Sequence, residues 1–176
     1  DLEMEAEEVR KKILEKLECC AARTPTDIHP ERRRHQEFKI RLKNPNHKPI
    51  RCKVRQIPHN LRDKVKEAID AQLDSGIIRP STSEWAAPLQ IVHKTDGDIR
   101  LTVDYTALNE IIQFDPYPMP VTKIILMQMT KSKWFSTFDF LKAYHQFPNE
   151  PESIKYTAFI CEFGLFEYTS MPMGKI

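Results

Sequence analysis

Two runs of alternating residues, "LQIVHK" at 89–94 and "DIRLTVDY" at 98–105, are separated only by Thr95, Asp96 and Gly97. Successive strand side chains point to opposite faces. Ile99, Leu101, Val103 and Tyr105 therefore share one face, and Arg100, Thr102 and Asp104 share the other. Asp-Gly between alternating runs is a strong short-range hairpin signal, because glycine accepts the positive φ such turns require. The pattern predicts an antiparallel hairpin with one apolar and one polar face.

The rest of the chain is read around that hairpin. A helical stripe of Leu2, Ala6, Val9, Ile13, Leu17 and Cys20 predicts a helix over 2–20, with acidic residues at its start and basic ones following. A second helix is expected from about 60 to 75. Asn60 would be its N-cap, Asp63 sits three residues on, Leu61, Val65, Ala68, Ile69 and Leu73 form its buried stripe, and Gly76 stands at C′. Residues 23–57 are Pro- and Arg-rich and read as an extended connector with one strand, "EFKIRL", at 37–42. Residues 77–88 read as a loop around Trp85. After the hairpin, "DPYPMP" (115–120) blocks regular structure. A short helix at about 121–130 follows, carrying Ile124, Ile125 and Met129. "KWFSTFDF" (133–140) reads as a strand, and 157–163 with 165–170 as a second hairpin pivoting at Gly164. This order is mixed α+β, not doubly wound.

The net charge of +2 over 176 residues names no partner, but its distribution is uneven. Residues 31–55 hold ten Lys and Arg against two Glu, a net of +8. Such a block attracts phosphate backbones, or is simply a solvated connector. Cys19, Cys20, Cys52 and Cys161 lack metal-site spacing. No apolar run reaches membrane-spanning length, there is no cationic-then-apolar signal start, and an intracellular, reducing setting is the default expectation.

One acidic residue, Asp139, interrupts the apolar run "FSTFDFLKAYHQ" (135–146). In a strand it would share a face with Phe135 and Thr137. From these twelve residues alone two readings stand. Asp139 caps a helix beginning at Leu141, or its oxygens bind a hard cation such as Mg²⁺.

The ordered blocks "GIIRPSTSEWAAPLQIVHKTDGDIRLTVDYTALN", "YPMP", "FSTFDFLKAYHQ", "TAF" and "MPMG" resemble the reverse transcriptases of long-terminal-repeat retrotransposons, in particular the Ty3/gypsy-like Pol polyproteins, over about residues 55–174. The resemblance implies a partial right-hand polymerase fold: fingers over about 58–115 and 147–176, and the first part of the palm over about 116–146. Residues 1–22 would be a helical segment and 23–57 a basic connector. It implies RNA-directed DNA synthesis with deoxynucleoside triphosphates and Mg²⁺ or Mn²⁺, on an RNA or DNA template-primer. The remainder of the polyprotein (rest of palm, thumb and ribonuclease H) would be its partner, cytoplasmic or in virus-like particles, with no membrane involved.

The resemblance assigns roles one residue at a time. Asp139 is the first catalytic aspartate and metal ligand, with the backbone carbonyl of Phe140 beside it. Tyr144 is the aromatic gate that leaves no room for a ribose 2′-hydroxyl. Arg100 grips the incoming triphosphate through its forked donors, assisted by Lys94. Met173 and Gly174 pack near the deoxyribose and template. The chain departs from the family at Thr106, where an arginine is common, which puts a salt bridge or template contact in doubt. The sequence ends before a tyrosine-x-aspartate-aspartate hairpin, so these residues alone are expected to lack polymerase activity and to leave the Asp139 strand without neighbours. A non-catalytic module binding RNA or single-stranded nucleic acid is the alternative expectation.

Overall fold

The computed structural model describes residues 2–17, 37–94, 97–113, 118–130, 132–137, 139–140 and 142–173. Cys19, Cys20, the turn residues Thr95 and Asp96, residues 115–117 of the connector, and Gly174 lie outside them. The helices are α1 (Leu2–Leu17), α2 (Arg62–Asp74), α3 (Thr106–Ile111), α4 (Thr122–Met129) and α5 (Pro151–Ile154). The strands are β1 (Ile78–Pro80), β2 (Ala87–His93), β3 (Ile99–Val103), β4 (Phe159–Cys161) and β5 (Gly164–Tyr168). They form one sheet in the order β1-β5-β4-β2-β3. Its β2–β4 pairing is parallel; the others are antiparallel. The expected α+β class is what forms.

The hairpin forms in the register its alternation dictates: Leu89 faces Val103, Ile91 faces Leu101 and His93 faces Ile99. Gly97 takes φ +81° and donates its N–H to the Lys94 carbonyl at 3.2 Å. α2 buries Val65 and Ile69 on the expected stripe. Its end is a Schellman motif. Gly76, at φ +66°, donates to the Leu73 carbonyl, and Ile77 donates to that of Gln72. The core packs that stripe with Trp85, Leu89, Val103, Tyr105, Phe159 and Phe166. At its centre the fully buried Thr157 hydroxyl donates to the Ile154 carbonyl and accepts the Tyr168 amide, while the Tyr105 hydroxyl donates to the Thr157 carbonyl at 2.7 Å.

Other expectations are corrected. α2 is preceded by a 3₁₀ turn, His59–Leu61, entered from Pro58, and no side chain caps either element, so Asn60 is not the N-cap. The loop expected at 77–88 contains β1, an edge strand whose Pro80 needs no ladder donor. At 37–42 only single bridges form, Phe38 with Asn149 and Leu42 with Ile112. The second hairpin turns at Glu162–Phe163, and Gly164 is already paired with Cys161. On α1, Val9 is 55% exposed, so its stripe is not a buried face. Among the described residues of 133–140 the expected strand does not form. Residues 134–137, 139 and 140 are irregular and exposed. A strand needs a ladder neighbour, and none of the five strands pairs with this segment.

Candidate functional site

Directly opposite residues of an antiparallel pair share a face, and the face repeats every second residue. Arg100 lies opposite Val92, so Gln90, Val92, Arg100 and Thr102 make the hairpin's outer face. Lys94 and Asp98 continue it beyond the last pair, with the Lys94 amide donating to the Asp98 carbonyl at 2.8 Å. Arg100 is exposed. The Lys94 ammonium is engaged by the Asp98 carboxylate at 2.7 Å, and that bond, with an amide from Ile99, holds the Asp98 carboxyl below its ordinary range.

The hairpin also meets the preceding connector. The Asp104 carboxylate accepts the Thr106 hydroxyl at 2.6 Å and the Thr106 amide at 3.2 Å, and pairs with the Arg55 guanidinium. The Thr106 hydroxyl and Arg55 together hold its carboxyl at about 2, below the usual 3.8. Thr106, where the resemblance expects arginine, thus bonds the same carboxylate that pairs with Arg55. Because the folded pKa lies below the unfolded one, this contribution is present above pH 4 and is lost as pH falls from about 4 to about 2. Solvent screens the half-exposed Arg55, so Asp104→Asn is expected to cost only about 1 kcal/mol at pH 7. It should also flatten the acid limb of urea-unfolding stability between pH 4 and 2; an unchanged limb would refute the pairing.

Asp139 and Phe140 stand on the irregular segment after α4. Nothing on α4 is buried, and Trp134, Phe135 and Phe140 are each more than half exposed. The Asp139 carboxylate makes no hydrogen bond or ion pair among the described residues. The helical turn that follows, Ala143–Gln146, starts from Lys142 without any side-chain cap. The capping reading of Asp139 therefore fails. A carboxylate and a neighbouring carbonyl are hard oxygen donors and suit Mg²⁺. They make up only part of a shell: among the described residues no group of three His, Cys, Asp or Glu gathers to hold a metal.

Tyr144, 46% exposed, sits on the Ala143–Gln146 turn. Lys142 reverses the chain with φ +44°, a conformation that costs a non-glycine residue about 1 kcal/mol. Residue 145 supplies the grip. The His145 ring stacks on Tyr168 with centroids 6.0 Å apart and planes 8° apart, and its Nδ1 lies 3.1 Å from the Met171 carbonyl. Met171 donates back to the Phe147 carbonyl, and the buried Asn149 amide donates to the carbonyls of Tyr168 and Ser170. Tyr144's turn is thereby fastened to 168–171, which leads to half-buried Met173. Nothing in the sequence pattern assigns His145 or Asn149 this role; buried polar residues with backbone partners are visible only in the fold.

Residues 92–176 match the family described as "Reverse transcriptase (RNA-dependent DNA polymerase)". The chain is 33% identical over 141 residues to the "Retrovirus-related Pol polyprotein from transposon opus" of Drosophila melanogaster, covering 77% of this chain and 14% of that protein. It is 32% identical over 163 residues to the "Transposon Tf2-3 polyprotein" of Schizosaccharomyces pombe, covering 92% of this chain and 12% of the relative. The chain belongs to the retrotransposon reverse transcriptases. It spans about an eighth of these two polyproteins. As a reverse transcriptase segment it shares its backbone with the prototype foamy virus protease–reverse transcriptase, at a TM-score of 0.80 and 22% identity over 98% of this chain and 23% of that one. The foamy viral enzyme in complex with an RNA/DNA hybrid is likewise similar, at a TM-score of 0.70 and 21% identity, covering 96% of this chain and 23% of that one. At such identities the likeness establishes a partial polymerase fold.

Proposed function

We propose that this reverse transcriptase segment supplies the triphosphate-gripping and first metal-binding parts of an RNA-directed DNA polymerase. In that reading, residues 58–115 and 147–176 are fingers, and 116–146 begin the palm. Arg100 forks onto triphosphate oxygens from the hairpin's outer face, and Lys94 exchanges its carboxylate partner for phosphate. Asp139 and the Phe140 carbonyl would hold Mg²⁺ or Mn²⁺. A bound divalent ion supplies charge stabilisation for phosphoryl transfer to a primer hydroxyl. The Tyr144 ring excludes a 2′-hydroxyl, and Met173 with Gly174 flanks the deoxyribose and template. An RNA or DNA template-primer and the remainder of the polyprotein are the partners.

The observation that carries this reading is the position of Asp139. An exposed carboxylate that caps no helix and meets no cation among the described residues has no structural role to explain it. The experiment is template-directed primer extension by the full-length polypeptide carrying these residues, on RNA and DNA templates with Mg²⁺ or Mn²⁺. Extension with deoxynucleotides is expected, and its absence would overturn the proposal. Tyr144→Ala should raise the ratio of ribonucleotide to deoxynucleotide kcat/KM by roughly 100-fold, the scale on which an apolar wall rejects an added hydroxyl.

A further inference from the structure

The basic block has a definite structure within residues 37–57, and most of its charge is left uncompensated. Two extended tracks are joined by a turn at Asn44–His47, in which the His47 amide donates to the Asn44 carbonyl and the Asn46 amide to the Asn44 side chain. In the first track Phe38, Ile40 and Leu42 face inward, while Lys39, Arg41 and Lys43 are exposed. In the second, Ile50 and Cys52 are half-buried and Arg51, Lys53 and Arg55 are exposed.

The backbone is fastened at both tracks. Phe38 and Glu150 exchange backbone bonds with Pro148 and Phe38, respectively, and the Ile40 amide donates to the Ser153 hydroxyl. Lys43 donates to the Ile111 carbonyl, and Gln113 donates to that of Arg41. Cys52 donates to the Ala86 carbonyl, and Ala86 to that of Ile50.

The cations divide into two kinds. Lys39 is paired with Glu150 at 2.8 Å, and Arg55 with Asp104, so carboxylates offset those two charges. Lys43 donates to the Glu110 main-chain carbonyl and Arg51 to that of Glu84. A carbonyl fixes such a side chain without cancelling its charge. The side chains of Arg41, Lys48 and Lys53 make no hydrogen bond or ion pair among the described residues, although the Arg41 charge helps Lys39 lower the Glu150 carboxyl. Five cations, Arg41, Lys43, Lys48, Arg51 and Lys53, thus stand on an ordered backbone without a carboxylate partner.

We infer that this strap is a second nucleic-acid surface, separate from the hairpin and the Asp139–Tyr144 segment, which takes the phosphate backbone of a single-stranded RNA. A row of like charges repels itself until a polyanion releases its own counterions there. Because the backbone is already ordered, little further chain ordering opposes binding. Lysines and arginines aimed at phosphates position a strand without reading its bases, so binding is sequence-independent.

The test is the salt dependence of binding of a mixed-sequence 20-nucleotide RNA to the full-length polypeptide. Replacing all five cations with glutamine should reduce the slope of log K against log salt by about 3, given ~0.7 per single-strand phosphate contact, and weaken binding at least 10-fold at about 0.1 M salt. A matched variant, with Arg62, Lys64, Lys66, Lys123 and Lys155 changed to glutamine, should keep most of the slope. Equal losses in the two variants, or no loss in the first, overturn the inference. Wild-type protein gives a check that needs no mutant to fold. Bound RNA should shield Lys43, Lys48 and Lys53 from acetylation by an N-hydroxysuccinimide ester, and leave Lys64 and Lys66 reactive; uniform reactivity with RNA bound counts against the strap. Neither readout depends on primer extension, so the strap and the proposed polymerase role fail separately.

Discussion

Asp139→Asn in the full-length polypeptide is expected to lower the rate of nucleotide addition by roughly 10³-fold or more, with deoxynucleotide binding weakened far less. The amide keeps the shape of the side chain and removes the charge that would hold a divalent ion. Several kcal/mol of transition-state stabilisation go with that charge, and each 1.36 kcal/mol is about a factor of ten in rate. The same substitution should leave stability almost unchanged. Asp139 is exposed and has no partner among the described residues, and surface replacements of that kind usually stay within about 0.5 kcal/mol. Lost turnover with an unmoved urea midpoint is therefore the expected pair of results. Full activity in the variant would remove Asp139 from the reaction. Lost activity with a comparable loss of stability would return it to a structural role.

Phe159→Ala is expected to produce the opposite signature. Phe159 is 1% exposed on β4. Its ring lies 5.8 Å from Phe166 and 5.4 Å from Tyr168. β4 pairs with β5 on one side and β2 on the other, so a cavity there has sheet on both flanks and little freedom to close. Truncating a buried phenylalanine costs about 3–5 kcal/mol, against a total stability of about 5–15 kcal/mol for an ordinary domain. Urea unfolding should show a midpoint shifted by that fraction, with partial recovery in Phe159→Leu, which keeps more of the volume. A loss below about 1 kcal/mol would mean that this sheet does not organise the core.

What was legible in the sequence had a local cause. The hairpin at 87–103 follows from alternation plus one glycine, and the end of α2 follows from Gly76 alone. Asp139 could be singled out because a carboxylate in an apolar run demands a reason, but setting aside the cap required the structure, where the helical turn that follows at Ala143–Gln146 has no side-chain cap. The apolar run at 133–140 imitates a strand, yet its described residues lie outside the sheet, since alternation cannot reveal whether a neighbour exists. β1 escaped notice for the converse reason. Three residues including Pro80 carry little strand signal, and β5 alone makes them a strand. The Arg55–Asp104 pair and the His145–Tyr168 stack join residues 49 and 23 positions apart, and no periodicity reports on partners that distant.

The order of strands in the sheet has a consequence for how the chain is made. β1 pairs with β5 through Ile78 and Tyr168, and β2 with β4 through Ala87 and Phe159. Only the β2–β3 and β4–β5 hairpins are local contacts. Pairings of this separation close slowly, because chain entropy is lost long before the contacts that compensate for it form. At a ribosomal rate of about 5–20 residues per second, the apolar sides of α2 and β1 wait roughly 5–20 s for Tyr168 to emerge. During that interval β1 has no neighbour and β2 is paired only with β3, and the nascent chain is at its most vulnerable to aggregation.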